Sequence, residues 1–108
     1  MQISKSSNKE ITFKVHQSKQ TNLLAACDTE LVGKKLKGNN EEFYVNPRFY
    51  KEKQCNIDEI AKLMKICNAG NLIGKKIVKI AIKLGIVTED NLIYIGSIPH
   101  AQYIIMNN

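Results

Sequence analysis

Two adjoining amphipathic segments, residues 57–67 and 73–84, constrain the fold of this chain more than any other feature. Each carries apolar side chains at helical spacing, so each needs a partner surface that covers its apolar stripe. The first segment follows Asn56, a good helix cap, and Glu59 is placed to complete a variant of the capping box. The pattern breaks before Asn71, which we expect to cap the second helix. The sequence therefore predicts two helices in succession, both packed on a common surface.

The rest of the pattern predicts a small sheet as that surface. Residues 11–15 alternate apolar and polar side chains, and residues 23–27 form a short apolar run that can pair with them as a hairpin. Residues 43–45 and 103–106 are further strand candidates, while residues 93–95 either extend a turn or begin a strand. The order is roughly strand, strand, strand, helix, helix, strand. This order predicts an α+β fold with a small mixed or antiparallel sheet and two helices packed on one face.

The length of 108 residues predicts a single domain, in which residues 1–9 form a frayed N-terminal lead. No apolar run approaches the roughly 20 residues of a membrane span, and the N-terminal stretch lacks the apolar core of a signal peptide. Three cysteines at irregular spacing argue against a disulfide framework and favour a reducing compartment, so we expect an intracellular protein. Because there is no CxxC pair and no P-loop, we expect neither a metal nor a cofactor.

Positive charge is concentrated in a stretch without acidic residues that runs from Ile60 to Thr88. The chain has a formal net charge of +6, and lysine supplies all but one of its 16 basic residues. Three lysines recur every four residues along the second helix, which places them on one flank of it. A second group without acids lies between the hairpin and the third strand. Together these lysines are the candidate nucleic-acid contacts: Lys34, Lys35, Lys75, Lys76, Lys79 and Lys83.

A lysine flank of this kind has more than one interpretation. Lysine is a good helix former whose stem covers apolar surface, so the flank can be a solvated face. It can also bind an anionic partner, RNA or a ribonucleoprotein. The near absence of arginine favours contact with backbone phosphates over reading of bases. A basic face that docks an acidic protein, as in an adaptor, is a further alternative, whereas the few aromatic residues argue against a membrane surface.

Two groups of polar side chains are candidates for a small enzyme or ligand-binding site. Cys27 ends a strand just before a predicted helix start, where the helix dipole would lower its pKa, and His100 could serve as its base. The alternative is that Cys27 is a small core residue and that Asp28 caps the following helix. His100 and Gln102 would point to the same side of the last strand, to bind either a ligand or buried backbone. Asn71 is a further ligand-binding candidate.

Three segments, residues 24–34 (LAACDTELVGK), 69–74 (AGNLIG) and 98–102 (IPHAQ), occur in a characteristic order. In this the chain resembles a small archaeal family catalogued as domain of unknown function 424, over about residues 11–106. It departs from the pattern at Lys75, where family members often carry an acidic residue. The resemblance implies an archaeal cytoplasmic protein without an established activity. It also implies an association with genes for translation factors. This association favours ribosomal or transfer RNA as the expected anionic partner.

Overall fold

The computed structural model of the chain describes residues 9–106, so most of the predicted N-terminal lead lies outside the described residues. Eight strands and three helices follow one another in this part of the chain, with 3-10 turns at Thr29–Leu31 and Glu89–Asn91. The elements are, in order, β1 (Ile11–Gln17), β2 (Asn22–Asp28), β3 (Lys35–Lys37), β4 (Glu42–Tyr44), α1 (Pro47–Tyr50), β5 (Lys53–Cys55), α2 (Ile57–Ile66), β6 (Ala69–Ile73), α3 (Lys75–Lys83), β7 (Ile93–Ile95) and β8 (Ile98–Ile104). The predicted α+β class is confirmed. None of the helices within residues 9–106 has the length and apolar character that crossing a membrane requires.

Six of the strands form one mixed sheet in the order β5-β1-β2-β6-β8-β7. The predicted hairpin is confirmed, since β1 and β2 pair antiparallel from Ile11 opposite Asp28 to Gln17 opposite Asn22. β2 and β6 run parallel at the centre of the sheet, and β8 is antiparallel to both of its neighbours, β6 and β7. β3 and β4 pair with each other in a separate ribbon, so the third predicted strand lies outside the main sheet.

Each face of the sheet carries its own hydrophobic core. Helices α2 and α3 cover one face, where they pack against Leu24, Ala26 and Leu72, and this confirms the predicted packing of two helices on one face. The β3–β4 ribbon and α1 cover the opposite face above Cys27 and Ile73. Side chains alternate between the faces along a strand, so a strand that is covered on both sides needs an apolar residue at almost every position. This explains the apolar run from Leu23 to Cys27 within β2.

The segment between the two long helices differs from the prediction. Residues 69–71, where the helical pattern breaks, belong to the central strand β6, so Asn71 does not cap a helix. Helix α3 begins at Lys75 instead, with Gly74 at the N-cap position. The sequence pattern missed β6 because both of its faces are largely buried, and such a strand lacks the alternation by which a half-buried strand is recognised.

The predicted capping box at the start of α2 is confirmed. The Asn56 side chain accepts a hydrogen bond from the Glu59 backbone at 2.9 Å, and the Glu59 carboxylate accepts one from the Asn56 backbone at 3.1 Å. Residues 48–55 give no regular pattern in the sequence, but they contain most of α1 and the edge strand β5. Elements of three or four residues are too short for hydrophobic periodicity to reveal them. The last strand likewise begins at Ile98, five residues before the predicted start.

Candidate functional site

Helix α3 places three of its lysines along one side of a surface groove. Lys75, Lys79 and Lys83 follow one another at intervals of about one turn, and all three line a cavity of about 540 Å³ between α3 and the β7–β8 hairpin. We call this cavity the lysine groove. None of its three lysines forms an ion pair with any residue from 9 to 106. The rest of its lining is mostly apolar and comes from Val78, Ile82, Leu92 and Pro99, with Tyr94, Ser97 and one acid, Glu89.

The other three candidate lysines do not line the groove. Lys76 is held by acids, since its Nζ lies 3.2 Å from a carboxylate oxygen of Glu10 and 3.5 Å from one of Glu30. The hydrogen bond to Glu10 raises the pKa of Lys76 above its ordinary value. Lys34 and Lys35 lie at the start of the β3–β4 ribbon, on the opposite face of the sheet from α3. The structure therefore brings together only the three lysines at four-residue spacing.

Tyr94 stands between the lysine groove and a second cavity and lines both. It belongs to the edge strand β7 and is 55% exposed. The second cavity has a volume of about 520 Å³ and is also lined by residues 39–41, from the β3–β4 hairpin loop, and by Gly96. A Cβ at Gly96 would lie 2.8 Å from the carbonyl oxygen of Lys37, which shows how closely the two turns meet. Sequence reasoning missed Tyr94 because residues 93–95 were compatible with either a turn or a strand.

Cys27 is not placed to act as a nucleophile. It is fully buried beneath the β3–β4 ribbon, and burial together with the charge of Asp28 raises the pKa of the thiol to about 12. Cys27 lies opposite Ile73, and Ile73 lies opposite His100, so the backbones of Cys27 and His100 are about two strand spacings, or roughly 10 Å, apart. This arrangement fits the interpretation of Cys27 as a core residue. It does not supply the adjacent base that a thiol nucleophile needs.

Asp28 caps a helix, but not the one that the sequence predicts. Its carboxylate accepts hydrogen bonds from the backbone N–H groups of Lys76 at 3.0 Å and Ile77 at 2.9 Å, at the start of α3. It makes no capping bond to the 3-10 turn that directly follows it. Burial raises the pKa of Asp28 above its ordinary value, and the two backbone hydrogen bonds oppose that shift. Because Gly74 has no side chain, an acid from β2 supplies the cap.

Two ligand-binding candidates, Asn71 and His100, form a polar cluster with Tyr50. The Oδ1 atom of Asn71 accepts a hydrogen bond from the Tyr50 hydroxyl at 2.8 Å and lies 2.9 Å from Nε2 of His100. The ring of Phe43, from the ribbon, packs against His100 with a centroid separation of 5.2 Å. The cluster thus connects α1, β6 and β8 beneath the ribbon, a structural role for all three polar side chains.

The third ligand-binding candidate, Gln102, lies opposite Asn71 but at the open end of the same face. Gln102 is exposed and, together with Asn71, lines a cavity of about 520 Å³ whose other walls include Leu23, Ala69 and Ile104. The prediction that His100 and Gln102 share one side of a strand agrees with their positions in β8. Within residues 9–106, no group of three or more histidine, cysteine, aspartate or glutamate side chains could hold a metal ion.

We expect acid to destabilise the fold through His100. Burial lowers the pKa of His100 below its ordinary value of 6.5, so the folded state binds the imidazole proton less tightly than the unfolded state. The free energy of unfolding therefore falls as the pH drops below the unfolded pKa, by at most about 1.4 kcal/mol per pH unit for a single group. Urea unfolding at several pH values, for the unmodified protein and for His100→Gln, would measure this slope. Equal slopes in the two proteins would contradict the assignment.

Comparisons with known proteins support the fold and give no activity. A family model described as "Protein of unknown function (DUF424)" matches residues 16–106. No curated protein matches the chain. Among solved structures, the chain is similar to the crystal structure of an uncharacterized conserved protein from Methanopyrus kandleri, with 25% sequence identity and a TM-score of 0.74. The similarity covers 91% of this chain and 94% of the other, so the two share their fold over nearly their whole length.

Proposed function

The chain belongs to the DUF424 family of proteins of unknown function, and we propose that it is a non-catalytic module that binds RNA or a ribonucleoprotein. The observation that carries the proposal is the lysine groove, in which Lys75, Lys79 and Lys83 line one side of a single cavity. Four residues of helix rise by about 6 Å, which is close to the separation of successive phosphates along a nucleic-acid strand. A strand that follows the helix axis could therefore place one phosphate near each lysine.

Only part of the charge on α3 favours the stability of the helix, since Lys83 lies in the last turn, where the helix dipole favours a cation, and the other groove lysines do not. Lys75 is the first residue of α3, where the positive end of the helix dipole disfavours a cation. Each pair of lysines four residues apart costs about 0.2–0.5 kcal/mol in mutual repulsion, and α3 contains no acid that would offset this cost. A bound polyanion would relieve both effects.

Binding through phosphates predicts a specific effect of neutralising the groove. We expect the triple variant Lys75→Gln/Lys79→Gln/Lys83→Gln to bind a labelled single-stranded RNA about tenfold or more weakly at low salt. The slope of log K against log salt is negative and should also become shallower by about 2, since each of the three lost contacts with a single strand contributes about 0.7 to its steepness. Fluorescence anisotropy across a salt series would measure both quantities.

The chain offers a matched control for this experiment. Lys53, Lys62 and Lys65 are exposed and lie outside the groove, so changing them to glutamine removes the same charge from other surfaces. We expect the control triple to retain the affinity and most of the salt slope. Absence of RNA binding at low salt, or equal losses in both triples, would contradict the proposal. If the tagged protein is captured from cells and a protein partner stays bound after nuclease treatment, the basic face is a protein-docking surface instead.

A further inference from the structure

We propose that the RNA partner is single-stranded, with one unpaired base stacked on Tyr94 and its edge hydrogen-bonded in the second cavity, which we call the amide cavity. The inference rests on the proposed function, because it describes where the strand leads after the lysine groove. Tyr94 lines both cavities, so a strand that passes from one to the other must cross its ring. The tyrosine is thus the one side chain that both parts of the site share.

Tyr94 has the properties of a stacking platform. More than half of the residue is exposed and it lines both cavities, so a ligand can reach it. Its backbone is fixed by the pairing of β7 with β8, in which Tyr94 lies opposite Pro99. β7 is the edge strand of the sheet, and within residues 9–106 no strand pairs with its outer side. A base that stacks there meets a positioned ring, so little conformational freedom is lost on binding.

The amide cavity suits a base and not a phosphate. Asn39 and Asn40 carry amide groups that both donate and accept hydrogen bonds, and the Glu41 carboxylate only accepts them. The amide cavity has this acid and no basic residue in its lining, whereas three lysines outnumber Glu89 in the lysine groove, so the phosphate backbone is left to the groove. The cavity volume of about 520 Å³ falls within the range of about 300–1,000 Å³ that small-molecule sites occupy.

The acid in the amide cavity also narrows the kind of base. A carboxylate accepts hydrogen bonds from N–H groups. Guanine, adenine and cytosine each carry an exocyclic amino group with two N–H donors, whereas uracil offers only its single ring N3–H. We therefore expect strands with amino-bearing bases to bind more tightly than oligouridine of the same length. A double helix keeps its bases stacked inside and cannot present one to Tyr94, so duplex RNA should bind through its phosphates alone and more weakly.

Three tyrosine variants test the stacking step. Tyr94→Ala should weaken binding of a mixed-sequence single strand by roughly 5- to 100-fold, the range found for the loss of one base–aromatic stack. Tyr94→Phe keeps the ring and should bind within about twofold of the unmodified protein. Tyr44→Ala is the matched control, because Tyr44 is 48% exposed but lines neither cavity. A loss in Tyr94→Phe as large as that in Tyr94→Ala, or an equal loss in Tyr44→Ala, would overturn the stacking step.

The second arm tests recognition in the amide cavity. The variant Asn39→Ala/Asn40→Ala/Glu41→Gln should remove the preference for the mixed strand over oligouridine while leaving the slope against log salt unchanged. If Tyr94→Ala binds as the unmodified protein does while the groove triple does not, the stacking inference fails and the proposed function stands. If the preference survives in the cavity variant, base recognition there is wrong. If neither single-stranded nor duplex RNA binds at low salt, both proposals fall together.

Discussion

Replacing Asp28 with alanine is expected to lower the free energy of unfolding by about 2–5 kcal/mol. Asp28 is 3% exposed, and its carboxylate accepts hydrogen bonds from the backbone N–H groups of Lys76 and Ile77. Loss of a helix cap costs about 1–2 kcal/mol, and a buried N–H left without an acceptor adds a further 1–3 kcal/mol. Asp28 also connects the end of β2 to the start of α3, so its loss weakens the contact between sheet and helix.

Gly74 is the necessary counterpart of this cap. A Cβ at Gly74 would overlap the Asp28 carboxylate, and the residue has a φ of +127°, which an L side chain rarely adopts. We therefore expect Gly74→Ala to be at least as damaging as Asp28→Ala, since it combines strain with the loss of the cap. Gly85→Ala is the matched control, because Gly85 has a φ of +74° but a Cβ there would meet no atom within 4 Å. It carries the strain of a positive φ without the overlap.

Urea unfolding of the single variants and of the double variant Asp28→Ala/Gly74→Ala would separate the loss of the cap from the overlap between the new Cβ and the Asp28 carboxylate. Because the alanine at position 28 removes the atoms that Gly74→Ala would overlap, the double variant should be less unstable than the sum of the singles, by about 1 kcal/mol or more. Strict additivity would show that the two residues act independently. A free energy of unfolding for Asp28→Ala within about 0.5 kcal/mol of the unmodified protein would mean that the cap contributes nothing.

The features that the sequence predicts correctly are those encoded by near neighbours. The hairpin of β1 and β2, the capping box at Asn56 and the apolar stripes of α2 and α3 all follow from spacing over a few residues. The cap on α3 depends instead on Asp28 and Ile77, which are 49 positions apart. The local pattern assigns Asp28 to the turn that directly follows it in the sequence. It cannot reveal the contact with α3, because the parallel pairing of β2 with β6 is what brings Asp28 to the start of that helix.

The same limit applies to the candidate site. Helical spacing alone was sufficient to place Lys75, Lys79 and Lys83 on one flank of α3. It could not show that Lys76 meets Glu10 and Glu30, since those acids come from other parts of the chain. The opposite wall of the lysine groove, which includes Tyr94, comes from the β7–β8 hairpin. Its position beside α3 depends on the pairing of the strands, so the local sequence pattern could not predict it.

Gly70→Ala is the second substitution for which we expect a large loss, about 3 kcal/mol of the free energy of unfolding. Gly70 lies opposite Tyr103, whose ring passes across it on the face covered by α2. A Cβ at Gly70 would overlap that ring, so the ring must move. Movement would disturb the hydrogen bond from the Tyr103 hydroxyl to the carbonyl oxygen of Met64, at 3.2 Å, which ties α2 to the sheet.

The test is whether the effect of the added methyl group depends on the ring. Gly70 does not have a positive φ, so its backbone is open to alanine, and in a strand that exchange is favourable by about 0.5–1 kcal/mol. In a Tyr103→Val background, Gly70→Ala should therefore be neutral or slightly stabilising, although Tyr103→Val itself lowers stability. A change of sign between the two backgrounds, measured by urea unfolding, would show that Gly70 makes room for the tyrosine. An equal loss of stability in both backgrounds would instead show that the backbone conformation at this position requires glycine.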